Sequence, residues 1–123
     1  MTDIELANHK RDRRLRRRLL LLLNATRVSP ESGWCGGPFL FDVVDTALPS
    51  GQRFDDEPHL LGLLRDLISA GYVQERDDRT RQSQRASLEF TSYRITSKGT
   101  ALVTEAIEPD PLVEDGRRRA SAS

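Results

Sequence analysis

Side-chain catalysis needs a thiol, hydroxyl or imidazole set beside a base, and this chain has one cysteine, Cys35, and two histidines, His9 and His59. Nothing among them resembles an active site. Cys35 stands in Trp34-Cys35-Gly36-Gly37. A redox or ligand-sensing thiol is conceivable there, but a buried structural thiol is the usual state of a free cysteine. His59 follows Asp55, Asp56 and Glu57, and carboxylates grouped at a helix start are far more often caps than a metal site. Gly36-Gly37 lacks the preceding strand and the following Lys of a phosphate-cradling loop. The expectation is a protein that is not an enzyme and that holds neither cofactor nor metal.

Arginine is the residue type that the chain does supply in groups, and its chemistry is the neutralisation of phosphate. Lys10, Arg11, Arg13, Arg14, Arg16, Arg17 and Arg18 are opposed locally by Asp12 alone. Arg76, Arg79, Arg81 and Arg85 form a second group, with Gln82, Ser83 and Gln84 among them. The formal net charge is zero, yet residues 1–28 carry +5, 29–75 carry −6, 76–95 carry +2 and 96–123 carry −1. Two basic segments around an acidic middle can aim a field even though the total cancels. The bland reading of each run is a solvated surface: a hairpin tip for the second, and for the first a face that keeps a leucine-rich helix soluble.

With 123 residues, 37% of them apolar and 31% charged, the chain suits one domain with a modest core. Between Asp12 and Arg27, the residues Leu15, Leu19, Leu22, Leu23 and Thr26 recur at three- and four-residue steps, which predicts a helix. Residues 28–37 hold Pro30, Gly33, Gly36 and Gly37 and read as a loop. Pro38 suits the first turn of a second helix running to about Leu48, with Leu40, Val43, Val44, Ala47 and Leu48 as its apolar face. Asp55, Asp56, Glu57 and Pro58 mark the start of a third, which Gly71 ends just beyond Ala70. Tyr72 to Arg76 and Ser87 to Ile95 have strand composition around a polar tip. A bulge is expected near Ser92, because the inward face switches between Phe90 and Tyr93. Thr96 is a good N-cap for a last helix carrying Ala101, Leu102, Glu105 and Ala106, which Pro109 and Pro111 then break.

The expected fold class is therefore mainly α with a small β-hairpin (α+β), in the order helix, helix, helix, strand, strand, helix. Residues 1–11 read as a basic arm, 12–108 as the folded domain and 109–123 as a loose tail. The expected core contains Leu19, Leu22, Val44, Leu64, Leu67, Ile68, Tyr72 and Ile95.

In that order the second and third helices can form a helix-turn-helix with the hairpin beside it. Leu60, Leu64, Leu67 and Ile68 leading into Gly71-Tyr72-Val73 resemble the recognition helix and first wing strand of winged-helix regulators. Tyr93-Arg94-Ile95-Thr96-Ser97-Lys98-Gly99 resembles the Tyr-x-Leu/Ile-Thr-x-x-Gly pattern that follows the wing in PadR-like and MarR-like families. The resemblance covers about residues 12–107. The basic start, leucine-rich first helix and short polar tail also resemble small winged-helix proteins of Mu-like prophages. What this implies is a winged helix-turn-helix transcriptional regulator of bacterial or prophage type, its third helix in the major groove of double-stranded DNA and its wing against the backbone or minor groove. The residues expected to serve it are Arg13, Arg14, Arg16, Arg17 and Arg18 on the first helix, His59, Arg65 and Ser69 on the third, and Arg76, Arg79, Arg81 and Arg85 at the wing.

Acidic residues set a limit on that expectation. The outward strip of the third helix, His59, Gly62, Arg65, Asp66 and Ser69, offers one Arg and one Asp, and Asp55, Asp56 and Glu57 sit where the helix would approach DNA. A winged-helix module that binds protein, its acidic third helix marking a lost DNA function, is the alternative. A single cysteine admits no intrachain disulfide, and Leu19 to Leu23 are too short for a signal-peptide core or a membrane span. A cytoplasmic protein without membrane contact is expected. Leu20 and Leu21 lie off the core stripe of the first helix, where either a partner helix or the last helix of the same chain would cover them. A homodimer, suited to two-fold DNA sites, is the expected assembly.

Overall fold

The computed structural model describes residues 2–26, 34–47, 54–77 and 91–114. Among these residues lie four helices and a three-stranded antiparallel sheet, in the order α1 (Asp3–Thr26), β1 (Cys35–Gly36), α2 (Gly37–Ala47), α3 (Glu57–Ser69), β2 (Val73–Asp77), β3 (Thr91–Ile95) and α4 (Ser97–Val103). It is an α+β arrangement, mostly helical with a small sheet.

Helix α1 begins at Asp3, nine residues before Asp12, so the segment read as a basic arm is mostly the first part of this helix. Its start is fixed by a reciprocal capping box: the Glu5 amide donates to Thr2 Oγ1 at 3.2 Å and the Thr2 amide to Glu5 Oε2 at 3.3 Å. Leu15, Arg16, Leu19, Leu20 and Leu23 form its buried face. Leu20 is fully buried within the same chain, so it is part of the core stripe and not a surface awaiting a partner; Leu21 stays exposed.

Both ends of α3 follow from side-chain and glycine chemistry. Asp56, in an extended conformation, caps the helix by accepting the His59 amide at 2.9 Å, and Pro58 occupies its first turn. At the other end Gly71, with φ +87°, lets its own amide reach the Ile68 carbonyl and the Tyr72 amide reach Leu67, the two bonds of a Schellman motif. The chain then enters β2 directly.

The central strand is β3, with β1 on one side and β2 on the other. Strand β1 falls within the segment read as a loop; it pairs Cys35 with Tyr93 and Gly36 with Ser92. The β2–β3 ladder runs without interruption from Val73↔Ile95 to Asp77↔Thr91, so the expected bulge near Ser92 is absent. A central strand has neighbours on both edges, and Thr91, Ser92 and Tyr93 are all buried, which hides the alternation that an exposed strand would display.

Thr96 caps α4 as expected, accepting the Gly99 amide at 3.0 Å. It also donates to the Gly71 carbonyl at 2.6 Å, while Lys98 Nζ donates to the Ala70 carbonyl at 2.8 Å and lies over the Tyr72 ring. The Thr-Ser-Lys-Gly run therefore clamps the C-terminus of α3 to the start of α4. Helix α4 stops at Val103, short of Ala106, because Glu105 adopts a left-handed φ of 64° and the Ala106 amide turns back to the Ala101 carbonyl.

Leu19, Leu64, Leu67, Tyr72 and Ile95 are buried, with Leu22 and Ile68 packed half-buried against them. The Val44 side chain lies outside the described residues. Residues 110–114 are not loose: Val113 is buried, and the Glu114 amide donates to the Arg13 carbonyl of α1.

Candidate nucleic-acid interface

The arginines of α1 divide by helical position. Arg16 is spaced three, four and seven residues from Leu19, Leu20 and Leu23 and shares their stripe, which leaves it 9% exposed. Its guanidinium donates to Asp66 Oδ2 of α3 at 2.8 Å and to the Leu112 carbonyl at 3.1 Å. Arg13 donates to the Val113 carbonyl, and Arg14 pairs with Glu114 at 3.3 Å. One turn earlier, Arg11 makes a two-pronged contact with Asp55 at 2.9 and 3.2 Å. Arg17 is half-buried and Arg18 is exposed. Of the arginines expected to meet phosphate on this helix, Arg13, Arg14 and Arg16 thus tie α1 to the C-terminal segment and α3.

His59 belongs to the same internal network. Its Nδ1 accepts the Asp55 amide at 2.9 Å, which puts the proton of the neutral ring on Nε2, facing Asp12 Oδ1 at 2.8 Å. Phe54 packs edge-on against the imidazole and stacks on Phe41. The ring bridges α1 and α3 and is not turned outward as the helical wheel predicts. Among the described residues no group of three or more His, Cys, Asp or Glu side chains could hold a metal ion, and no helix is long and apolar enough to cross a membrane.

These pairings also account for three acids in or just before α3, while Glu57 stays exposed in its first turn. Asp55 faces Arg11, Asp56 is occupied as the N-cap and Asp66 faces Arg16. What remains on the side opposite Leu60, Leu63, Leu64 and Leu67 is Pro58, Gly62, Arg65 and Ser69, all exposed. This strip is narrow and nearly bare, since a Cβ built at Gly62 would meet nothing within 4 Å.

On the sheet, Arg76 of β2 is exposed and its guanidinium lies 4.7 Å from the centre of the Trp34 ring. Arg94 of β3 approaches the same ring at 4.6 Å and donates to Gln74 Oε1 at 2.8 Å. Neither Trp34 nor Arg94 stands out in the sequence, because the two-residue strand that brings them together is too short to leave a pattern. Arg79, Arg81 and Arg85 lie outside the described residues.

No protein-family model, curated protein or solved structure matches the chain.

Two tyrosines sit behind these surfaces with hydroxyls held in the protonated form. Burial, then the hydrogen bond to Asp110 and that carboxylate's charge, push Tyr72 up to about 12. Burial, then the charge of Glu75, push Tyr93 to about 12 as well. Neither phenol can act as a base near neutral pH. The surface therefore offers cationic and hydrogen-bonding groups for docking, and the tyrosines serve the frame.

Proposed function

We propose that this chain is a winged helix-turn-helix protein that binds double-stranded DNA, a small transcriptional regulator of bacterial or prophage type. The observation that carries the reading is the outward strip of α3, in which Gly62 and Ser69 leave room for close approach and Arg65 supplies a base or phosphate donor. A major groove about 12 Å wide admits a helix, and a bare face lets it enter deeply. Two acids near this face, Asp55 and Asp66, pair with Arg11 and Arg16, which lowers the electrostatic objection in part, while Asp56 and Glu57 stay exposed at the helix start.

The contacting set then comprises Arg18, Arg65 and Ser69 with the hairpin arginines Arg76, Arg79, Arg81 and Arg85. Arg13, Arg14, Arg16 and His59 serve the fold. Such a regulator works in the cytoplasm, where a free thiol such as Cys35 persists. A two-fold dimer is part of the proposal, resting now on Ile4, Leu6 and Leu21, the exposed apolar residues of α1. Sedimentation that finds only monomer at tens of micromolar (on the order of weak-dimer concentrations) would remove the dimer.

The function itself is tested by fluorescence anisotropy of labelled duplexes against the full chain and two variants. Arg79, Arg81 and Arg85 replaced together by Ala should weaken binding to every sequence. Arg65→Ala should weaken the preferred sequence more than random duplex. Engagement of the α1 arginines inside the fold favours the second reading, a protein-binding module, and absence of any duplex binding at low salt would select it.

A further inference from the structure

We infer that residues 110–114 form an autoinhibitory strap, which keeps Arg13 and Arg14 of α1 on its own acceptors and so away from DNA phosphates beside α3. This rests on the DNA-binding reading and adds a closed state to it. Residues 105–114 include Glu105, Glu108, Asp110 and Glu114 and no Lys or Arg, so an acidic stretch of the chain ends on its basic helix. The Tyr72 hydroxyl, at the start of β2, donates to Asp110 Oδ2. Asp110 Oδ1 accepts the Leu112 amide at 2.9 Å and the Asp110 carbonyl accepts the Val113 amide at 3.0 Å, which closes a turn. Val113 is then buried, and the Glu114 amide donates to the Arg13 carbonyl at 3.2 Å.

Three arginines meet the strap. Arg13 donates to the Val113 carbonyl, Arg16 to the Leu112 carbonyl and Arg14 to the Glu114 carboxylate. Two of those acceptors are neutral, and the buried Nε–H groups of Arg13 and Arg16 have no hydrogen-bond partner among the described residues. A guanidinium is held more strongly by anionic oxygens that take its N–H fork in pairs, as those of a phosphodiester can. The strap is thus a weaker ligand for Arg13 than the one it excludes. Its place beside α3 gives the exclusion a consequence. Arg16 grips both Leu112 and Asp66, and Asp66 is one residue from Arg65 of the outward strip. The strap's carboxylates therefore stand where they repel an approaching phosphate chain, and opening it moves them away while freeing Arg13 and Arg14 at the same edge.

The test measures duplex anisotropy against salt for the full chain, for Val113→Ser, and for Val113→Ser combined with Arg13→Ala and Arg14→Ala. Hydrogen exchange at the Leu112, Val113 and Glu114 amides reports whether the strap is open. Val113→Ser should lose protection at those amides and keep it in α3. Its log–log salt slope should steepen by about 1.8, two phosphate contacts at ~0.9 each, so that its affinity falls roughly tenfold further than that of wild type between about 50 and 200 mM salt. Adding the two alanines should return the slope to the wild-type value. If Val113→Ser melts early by circular dichroism, Asp110→Asn, which weakens the turn at the start of the strap, replaces it with the same expectation. Amides that stay protected in both variants, an open strap with an unchanged slope, or a steeper slope that the alanines do not reverse overturns this inference and leaves the DNA-binding reading standing. No duplex binding by any of these proteins at low salt overturns both.

Discussion

Gly99→Ala should be among the most damaging single-methyl changes available in this chain. Gly99 lies in the first turn of α4, against the end of α3, and a Cβ there would overlap the Tyr72 carbonyl oxygen, fall 2.7 Å from Ile95 Cγ1 and 3.2 Å from the Tyr72 carbonyl carbon. Ordinary carbon contacts are about 3.5 to 4.0 Å. The oxygen cannot withdraw freely, because it accepts the Thr96 amide at 3.0 Å, and the Tyr72 amide is held by the Leu67 carbonyl in the turn that ends α3. Overpacking costs about 1 to 3 kcal/mol and a displaced backbone hydrogen bond about 1 more, so roughly 3 kcal/mol is expected. That corresponds to a fall in Tm of about 10 °C or more for a domain of this size. Gly62→Ala is the matched control: the same methyl, placed mid-helix where nothing lies within 4 Å, should stabilise by roughly 0.5 to 1 kcal/mol. Thermal and urea unfolding followed by far-ultraviolet circular dichroism measures both. A Gly99→Ala protein as stable as wild type would refute the packing of α4 on the α3 turn.

Leu64→Ala removes a fully buried side chain of α3 and should cost about 2 to 5 kcal/mol in urea unfolding; an unchanged midpoint would mean that α3 presents a different face to the core. Glu105→Gly should stabilise by roughly 0.5 to 1 kcal/mol, since only glycine adopts a φ of 64° without strain, and a loss of stability would contradict that account. With both phenol pKa values raised to about 12 in the fold, stability from Tyr72 and Tyr93 is fully present below the unfolded value near 10 and is lost as pH rises from 10 to 12. Absorbance at 295 nm should show little ionisation at pH 10 and a rise coupled to unfolding above it; reversible titration of both tyrosines near 10 in the intact protein would contradict their burial.

The parts of the fold legible in sequence are those fixed by neighbours along the chain. Asp56, Pro58 and Gly71 bracket α3, and Thr96 starts α4, because caps act within a few residues. Thr2 and Glu5 carried a similar signal, yet the polar turns after them obscured the start of α1, which has no apolar stripe before Leu15. The candidate interface was harder to see because its ion pairs join residues far apart in sequence. Arg16 resembles its neighbours in composition, and only its three- and four-residue spacing from Leu19 and Leu20 marks it as inward; its partner Asp66 is fifty positions away. His59, likewise, counts as outward on a wheel until α1 is laid against it with Asp12. Strand β1 holds two residues, too few for any period to register, and with it went Trp34 and the arginines that it gathers.

The most direct test of DNA binding is the salt dependence of duplex affinity, measured by anisotropy between 50 and 200 mM salt (roughly the span over which phosphate contacts are resolved). Arg18, Arg65 and Arg76, with Arg79, Arg81 and Arg85, allow about six phosphate contacts, which predicts a log–log slope near −5. A slope of that size, flattened by Arg79, Arg81 and Arg85 to Ala and little altered by Arg14→Ala, would agree with the division of arginines between surface and fold. Affinity indifferent to salt, or no binding to any duplex at the low-salt end, would contradict it.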